Sequence, residues 1–282
     1  MNILSQKNEN INYLSSYRIN NFKMLLKVEK EGKLPISHGQ YLNAIIYNYL
    51  PHLHGEQKKP FNVSELRFPK NKFSHPTQNL EKGTYLEFDV CLHNFDESRN
   101  FEKVILDHLK QGKDPYIQLG KISTKVENIQ KKTYLLSELW EQAEPIKKFE
   151  INYLSPTTYA SKINNINDEW MYTWSVDLWR GIQSIESKLR NLFLDWSFQS
   201  IIEWSKTGIG ARRFTNCKVI PITYYRKKNI QKYPGLRGSV EYLAIGRKID
   251  QKLLHFYLLL AEIIGIGAFT TIGCGNIMVK TR

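Results

Sequence analysis

Four glycines stand within eleven residues of the stretch GIGAFTTIGCGN (265–276): Gly265, Gly267, Gly273 and Gly275. Lacking side chains, they let backbone amides line an anion such as a phosphate, or let a second backbone come close. The spacing excludes a Walker A loop, which closes on Gly-Lys-Ser/Thr. It also excludes a dinucleotide fingerprint, which follows a strand and opens a helix, because here an apolar helical run precedes the glycines. A helix C-cap followed by a tight turn is the other reading of the same residues.

A second feature lies just upstream. Between Lys206 and Asp250 the chain has eleven Lys/Arg and two acids, a net charge of +9. Arg212, Arg213, Arg226, Lys227, Lys228, Lys232 and Arg237 lie there, interleaved with Tyr224, Tyr225 and Tyr233. The whole chain of 282 residues has 40 basic and 27 acidic residues, a formal charge of +13. Such a balance favours a polyanionic partner, nucleic acid first, over a merely solvated basic surface. Three scattered cysteines (Cys91, Cys217, Cys274) with no CxxC pair argue against a zinc site or a disulfide framework and suit a reducing cytoplasm. No metal or cofactor is expected.

These features need elements to position them. With 41% hydrophobic and 24% charged residues the chain is globular. The first twenty residues are polar, without the apolar core of a signal peptide. The most apolar run, 253–269, spans 17 residues and contains His255 and Glu262, too short and polar for a membrane span and better read as a buried helix. Residues 22–32 read as a strand. Apolar positions Leu42, Ile45, Ile46, Tyr49, Leu50 and Leu53 then fall at helical spacing, until Pro51 ends or kinks the helix. Tyr47 falls off that apolar face. Two strands, a helix closing at Gly112, and another strand complete a β-α-β-β-α-β order. The second half repeats it: a strand at 147–159, a tryptophan-rich helical region at 168–205, strands near 214–226 and 237–246, a helix at 251–264 and a last strand near 276–280. The tryptophans are read as helix core rather than as base-stacking groups. The fold class is therefore α+β: two tandem ferredoxin-like (RRM-like) β-α-β-β-α-β modules, residues 1–143 and 144–282.

The stretch LLLAEIIGIGAFTTIGCGNIMV resembles the C-terminal glycine-rich signature of the repeat-associated mysterious protein (RAMP) superfamily. It is most similar to the Cas-six family of CRISPR repeat-processing endoribonucleases, matching at Gly265, Gly267, Thr270, Thr271, Gly273 and Gly275. Two further stretches agree: NYLSPTTY (152–159) resembles the Ser-Pro-Thr opening of the second module, and AIIYNYLPHLHGEQKKPFNVSEL (44–66) resembles the first-helix region. The three lie in the family's order along the chain.

The resemblance implies metal-independent cleavage of CRISPR repeat RNA. The ribose 2′-hydroxyl attacks the adjacent phosphorus, leaving a 2′,3′-cyclic phosphate and a 5′-hydroxyl. It places the family's Tyr on Tyr47, its His on His54 and its Lys on Lys59, with His52 and Lys58 as competing choices. Histidine suits the proton steps because its unperturbed pKa is about 6.5. The glycine stretch and the cations of the basic segment would hold RNA, and bulky residues at Gly267 and Gly273 would weaken RNA binding more than folding. A non-catalytic RAMP subunit holding guide RNA beside other CRISPR effector subunits is the alternative. Homodimerisation stays open, no membrane is implied, and an unrelated RNA-recognition module is the third choice.

Overall fold

The computed structural model describes residues 12–35, 38–53, 61–69, 72–73, 79–92, 95–110, 116–162, 170–193, 196, 200–226 and 229–281. Its first strand, β1 (Arg18–Lys30), buries Phe22, Met24, Leu26 and Val28 on one face, as the period of two demands. Helix α1 (His38–Tyr49) lays Leu42, Ile45 and Ile46 on that face. The chain continues through short strands β2 (Phe61–Val63) and β3 (Arg67–Phe68), β4 (Tyr85–Leu92), α2 (Phe95–Lys110) and the hairpin β5 (Tyr116–Leu119)–β6 (Ile122–Leu135). The sheet runs β3–β4–β1–β6–β5, with the short edge strand Lys72–Phe73 paired to β3 and with β2 also paired to β4, and every pairing is antiparallel.

Helix α3 (Leu136–Gln142) leads into the second module. This contains β7 (Lys148–Thr157), a small hairpin β8 (Tyr159–Lys162)–β9 (Trp170–Thr173), helices α4 (Leu178–Leu192) and α5 (Ile202–Gly208), the long strands β10 (Ile209–Arg226) and β11 (Asn229–Ala244), α6 (Lys248–Ile264) and β12 (Ile277–Thr281). Its sheet order is β10–β11–β7–β12, antiparallel throughout. In both modules the first strand is central, flanked by the third and fourth. That is the ferredoxin-like order, twice.

Two apolar cores follow. One fills the first module; the other gathers Phe149, Ile151, Ile182, Leu189 and the buried face of α6 around Trp140. Leu14, Tyr17 and Ile19 cross from the start of the chain into this second core, so the N-terminal segment ties the modules together. Among the described residues no helix is long and apolar enough to cross a membrane.

The tryptophan-rich region expected to be helical over 168–205 is helical at α4 and α5 but begins with a strand. Trp170 lies on β9, paired with Lys162, because the W-M-Y-T run is aromatic and β-favouring and finds a partner in β8. Trp196 is core, its ring 5.6 Å from Tyr17, whereas Trp174 is 46% exposed. The basic hairpin is longer than expected. Its strands begin at 209 and 229 rather than near 214 and 237, because each residue finds a cross-strand partner over the whole length apart from two register shifts.

Candidate nucleic-acid interface

The glycine stretch is a folded seam between the modules. Helix α6 ends at Gly265, whose positive φ of 68° favours glycine, its N–H donating to the Ala261 carbonyl at 2.9 Å. The Gly267 N–H donates to Ser184 Oγ at 2.8 Å, Gly273 to the Thr270 carbonyl at 3.4 Å and Gly275 to the Pro156 carbonyl at 3.2 Å. All four amides therefore have partners inside the protein, and of the two readings of the sequence the turn with close backbone approach is the one observed. A Cβ on Gly275 would collide with the Ile266 carbonyl oxygen, and one on Gly267 with that of Thr158. Both glycines have positive φ, so replacement there disturbs the fold before it touches any ligand, which corrects the expectation for Gly267.

The stretch also meets its sequence partners in space. The Ala268 N–H donates to the Thr158 carbonyl at 2.8 Å and the Asn276 N–H to Ser155 Oγ at 2.8 Å, so the Ser-Pro-Thr segment is its cradle. Toward the first module, Asn62 Nδ2 donates to the Ile264 carbonyl and Thr270 Oγ1 donates to Asn62 Oδ1, both at 2.6 Å. Gly273 faces the Ser64–Glu65 backbone, where an added Cβ would lie 3.2 Å from the Ser64 oxygen. The turn Thr270–Ile272 packs on α1 and β2. Thr270 is buried; Thr271, Ala268 and Phe269 are half-buried.

At the tip, Phe269 sits in the left-handed region at φ 61° and gathers three tyrosines. Its centroid lies 4.9 Å from Tyr172, 5.2 Å from Tyr233 and 5.6 Å from Tyr224. Tyr224 and Tyr233 come from the basic hairpin, so aromatic faces and cations share one region. The linear pattern shows Phe269 only as an apolar residue among glycines, and Tyr172 only as part of the expected helical region, whereas it lies on β9.

Arg212 and Arg213 are exposed on β10, with Arg212 Nη1 3.6 Å from Glu241. Lys232 is exposed on β11. Arg226 closes β10, its backbone paired with Asn229, whereas Lys227 and Lys228 lie outside the described residues. Arg237 is half-buried on β11 and acts on Glu65, across the seam. Burial pushes the Glu65 carboxyl up to about 7, with the Arg237 charge opposing. This is the most perturbed carboxyl at the junction of loop and first module.

The three residues assigned to catalysis have different standings. Tyr47, expected off the apolar face, packs on the first core with its ring edge-on to Phe61 at 5.7 Å and its hydroxyl buried. Its position one residue after the Leu42/Ile45/Ile46 set turns it toward the short strand β2. His54 and Lys59 lie outside the described residues, as does Lys58. His52 is exposed, and its Nε2 lies 2.7 Å from Glu97 Oε1 at the start of α2. Among the described residues no group of three His, Cys, Asp or Glu is placed to hold a metal ion.

No protein-family model matches the chain and no curated protein matches it in sequence. Solved structures match in shape. A Cas6 product complex superposes with a TM-score of 0.71 at 17% identity, covering 93% of this chain and 100% of that one. Thermus thermophilus Cas6 gives 0.67 at 16%, covering 94% and 99%. A RAMP protein described as binding different RNA substrates gives 0.57 at 14%, covering 93% and 99%. With its two antiparallel sheets in ferredoxin-like order along nearly the whole chain, this protein has the fold of the Cas6 and RAMP proteins.

Proposed function

We propose that this protein binds CRISPR repeat RNA and cuts precursor CRISPR RNA within each repeat. The observation that carries the reading is the fold, shared over 93% of the chain with Cas6 proteins in product and substrate-mimic complexes. Three sequence stretches that resemble the Cas-six family support it. Two of these, the glycine stretch and the Ser-Pro-Thr segment, are bonded to each other, and the third runs through α1 and β2, on which the glycine turn rests.

In this reading the 2′-hydroxyl of the nucleotide before the cut attacks phosphorus. The P–O5′ bond breaks, the 2′ proton passes to a base, and the departing 5′ oxygen takes a proton from an acid. His54 carries a proton-transfer role, Lys59 neutralises the charge that builds on the phosphate oxygens, and Tyr47 orients the scissile nucleotide or assists a proton transfer. The hydrogen bond of His52 to Glu97 is the specific observation favouring the other histidine, since a carboxylate orients an imidazole for proton transfer. Arg212, Arg213, Lys232 and the neighbouring Arg226–Lys228 run hold phosphates, while the tyrosines around Phe269 offer faces to unpaired bases. Stem recognition would go through shape and backbone.

Incubation with the host's repeat RNA in excess EDTA tests the reading, with RNA carrying a 2′-deoxy ribose at the cut site as control. Cutting of the all-ribose RNA alone, with a cyclic phosphate end, is the expected result. Tight binding without cutting would make the protein a guide-RNA-holding RAMP subunit instead.

A further inference from the structure

The second module carries elements beyond the six of a ferredoxin-like unit, the hairpin β8–β9 and the helix α5. Strand β8, α4, α5 and Gly267–Ala268 of the glycine stretch enclose a cleft of about 710 Å³, within the usual range for small-molecule sites. Its charged lining residues are Arg180, Lys188 and Lys206, with no acid among the described residues that line it.

Some of these groups are already committed. Lys188 Nζ donates to the Gly265 carbonyl at 2.9 Å, closing the end of α6. Ser184 Oγ donates to the Gly181 carbonyl at 2.7 Å and accepts the Gly267 N–H. Others are not. The Arg180 Nε–H is buried and has no hydrogen-bond partner among the described residues, an unfavourable state that an acceptor-bearing ligand would relieve. The Arg180 guanidinium lies 4.8 Å from the Trp179 ring centroid, and Lys206 Nζ lies 5.7 Å from it. Lys206 pairs with Glu203, itself 84% exposed, so the pair is screened and readily exchanged. Helix α5 is held in place: the Trp204 indole N–H donates to the Ile245 carbonyl at 3.1 Å and packs on Gly208 and Gly246.

Two cations beside one indole, in a cleft with no acid among its described lining residues, fit a phosphate joined to a flat ring. We propose that this cleft takes one unpaired nucleotide of the bound RNA, its phosphate at Arg180 and Lys206 and its base against Trp179. The inference rests on the RNA-binding reading above. Continuity supports RNA as the source: Ala268 walls the cleft, and the next residue, Phe269, stacks with tyrosines of the basic hairpin. A strand held on the hairpin can therefore pass along the loop into the cleft.

The test is the affinity for three RNAs with an uncleavable 2′-deoxy cut site: the bare repeat hairpin, and the same hairpin with an unpaired flank on its 5′ or its 3′ side. The wild type should bind one flanked form about tenfold more tightly than the bare hairpin. Arg180→Gln should remove that gain and lower the salt slope by about one, with bare-hairpin affinity unchanged. Ser187→Trp, at an exposed lining position, plugs the cleft without touching the core and should do the same. Folded variants that keep the full gain would overturn the proposal, as would a wild type that gains nothing from either flank. A wild type that binds none of the three RNAs would instead overturn the RNA-binding reading itself.

Discussion

The two modules share one strand order and differ in their second strand. In the first module it is broken into pieces of three and two residues, β2 and β3. In the second it runs unbroken for 18 residues as β10, paired with the 16 of β11. The short β2 instead lies beside the end of α1, where the Tyr47 ring meets Phe61 edge-on at 5.7 Å. An extended hairpin adds surface, and here that surface is basic. The same topology thus carries a broken second strand on one side of the glycine seam and a long basic hairpin on the other.

Single glycines test that contrast most severely. At the seam, Gly275→Val puts a side chain into the Ile266 carbonyl at positive φ and should lower stability on the order of 4 kcal/mol, a Tm fall of about 10 °C by calorimetry. On the hairpin, Gly210 has open space where a Cβ would go, so Gly210→Val should shift Tm by less than about 2 °C. Equal effects at the two positions would erase the distinction between a packed seam and an open binding strand.

A gentler probe is charge. The pair Arg212→Gln and Arg213→Gln should weaken repeat-RNA binding by about tenfold at moderate salt and lower the slope of log affinity against log salt by about two. A slope unchanged in the double variant would mean that these exposed cations meet only solvent.

The smallest effect is a pH dependence at the seam. The Glu65 carboxyl is pushed up to about 7 by burial, so between about pH 4.5 and 7 the folded protein holds a proton that the unfolded chain has released. Stability from this group is therefore fully present below the unfolded value and is lost as pH rises through 7. Glu65→Gln should flatten that limb of a Tm-against-pH curve. A limb identical to the wild type's would assign it to another group.

How much of this was legible in the sequence follows from what kind of interaction fixes each part. The α1 face was readable because Leu42, Ile45 and Ile46 repeat at helical spacing into one core. The twofold ferredoxin-like order was readable from the alternation of such segments. Trp170 was misread because its strand exists only through pairing with β8, which helical periodicity over a long aromatic run obscures. The glycine stretch announced close approach but not what approaches. The answer depends on Thr158, Pro156 and Asn62, up to 213 positions away at Asn62 from Gly275. Tyr47 was placed off the apolar face by counting alone, whereas Phe61, from β2, folds over it. The cleft at Trp179 and Arg180 had no linear signature, because its walls come from β8, two helices and the glycine loop.

The proposed division of labour, with cutting by the first module and RNA holding by the second, is tested most directly by measuring single-turnover cleavage and RNA affinity together, in EDTA, for the wild type, His54→Ala and His52→Ala. Loss of the acid–base residue should slow cutting at least about a hundredfold while leaving Kd within about twofold. This is the expected outcome for His54→Ala, with near-normal cutting for His52→Ala. A His54→Ala protein that cuts at the wild-type rate would contradict it, and if His52→Ala is the slow variant, proton transfer belongs to the His52–Glu97 pair instead of His54.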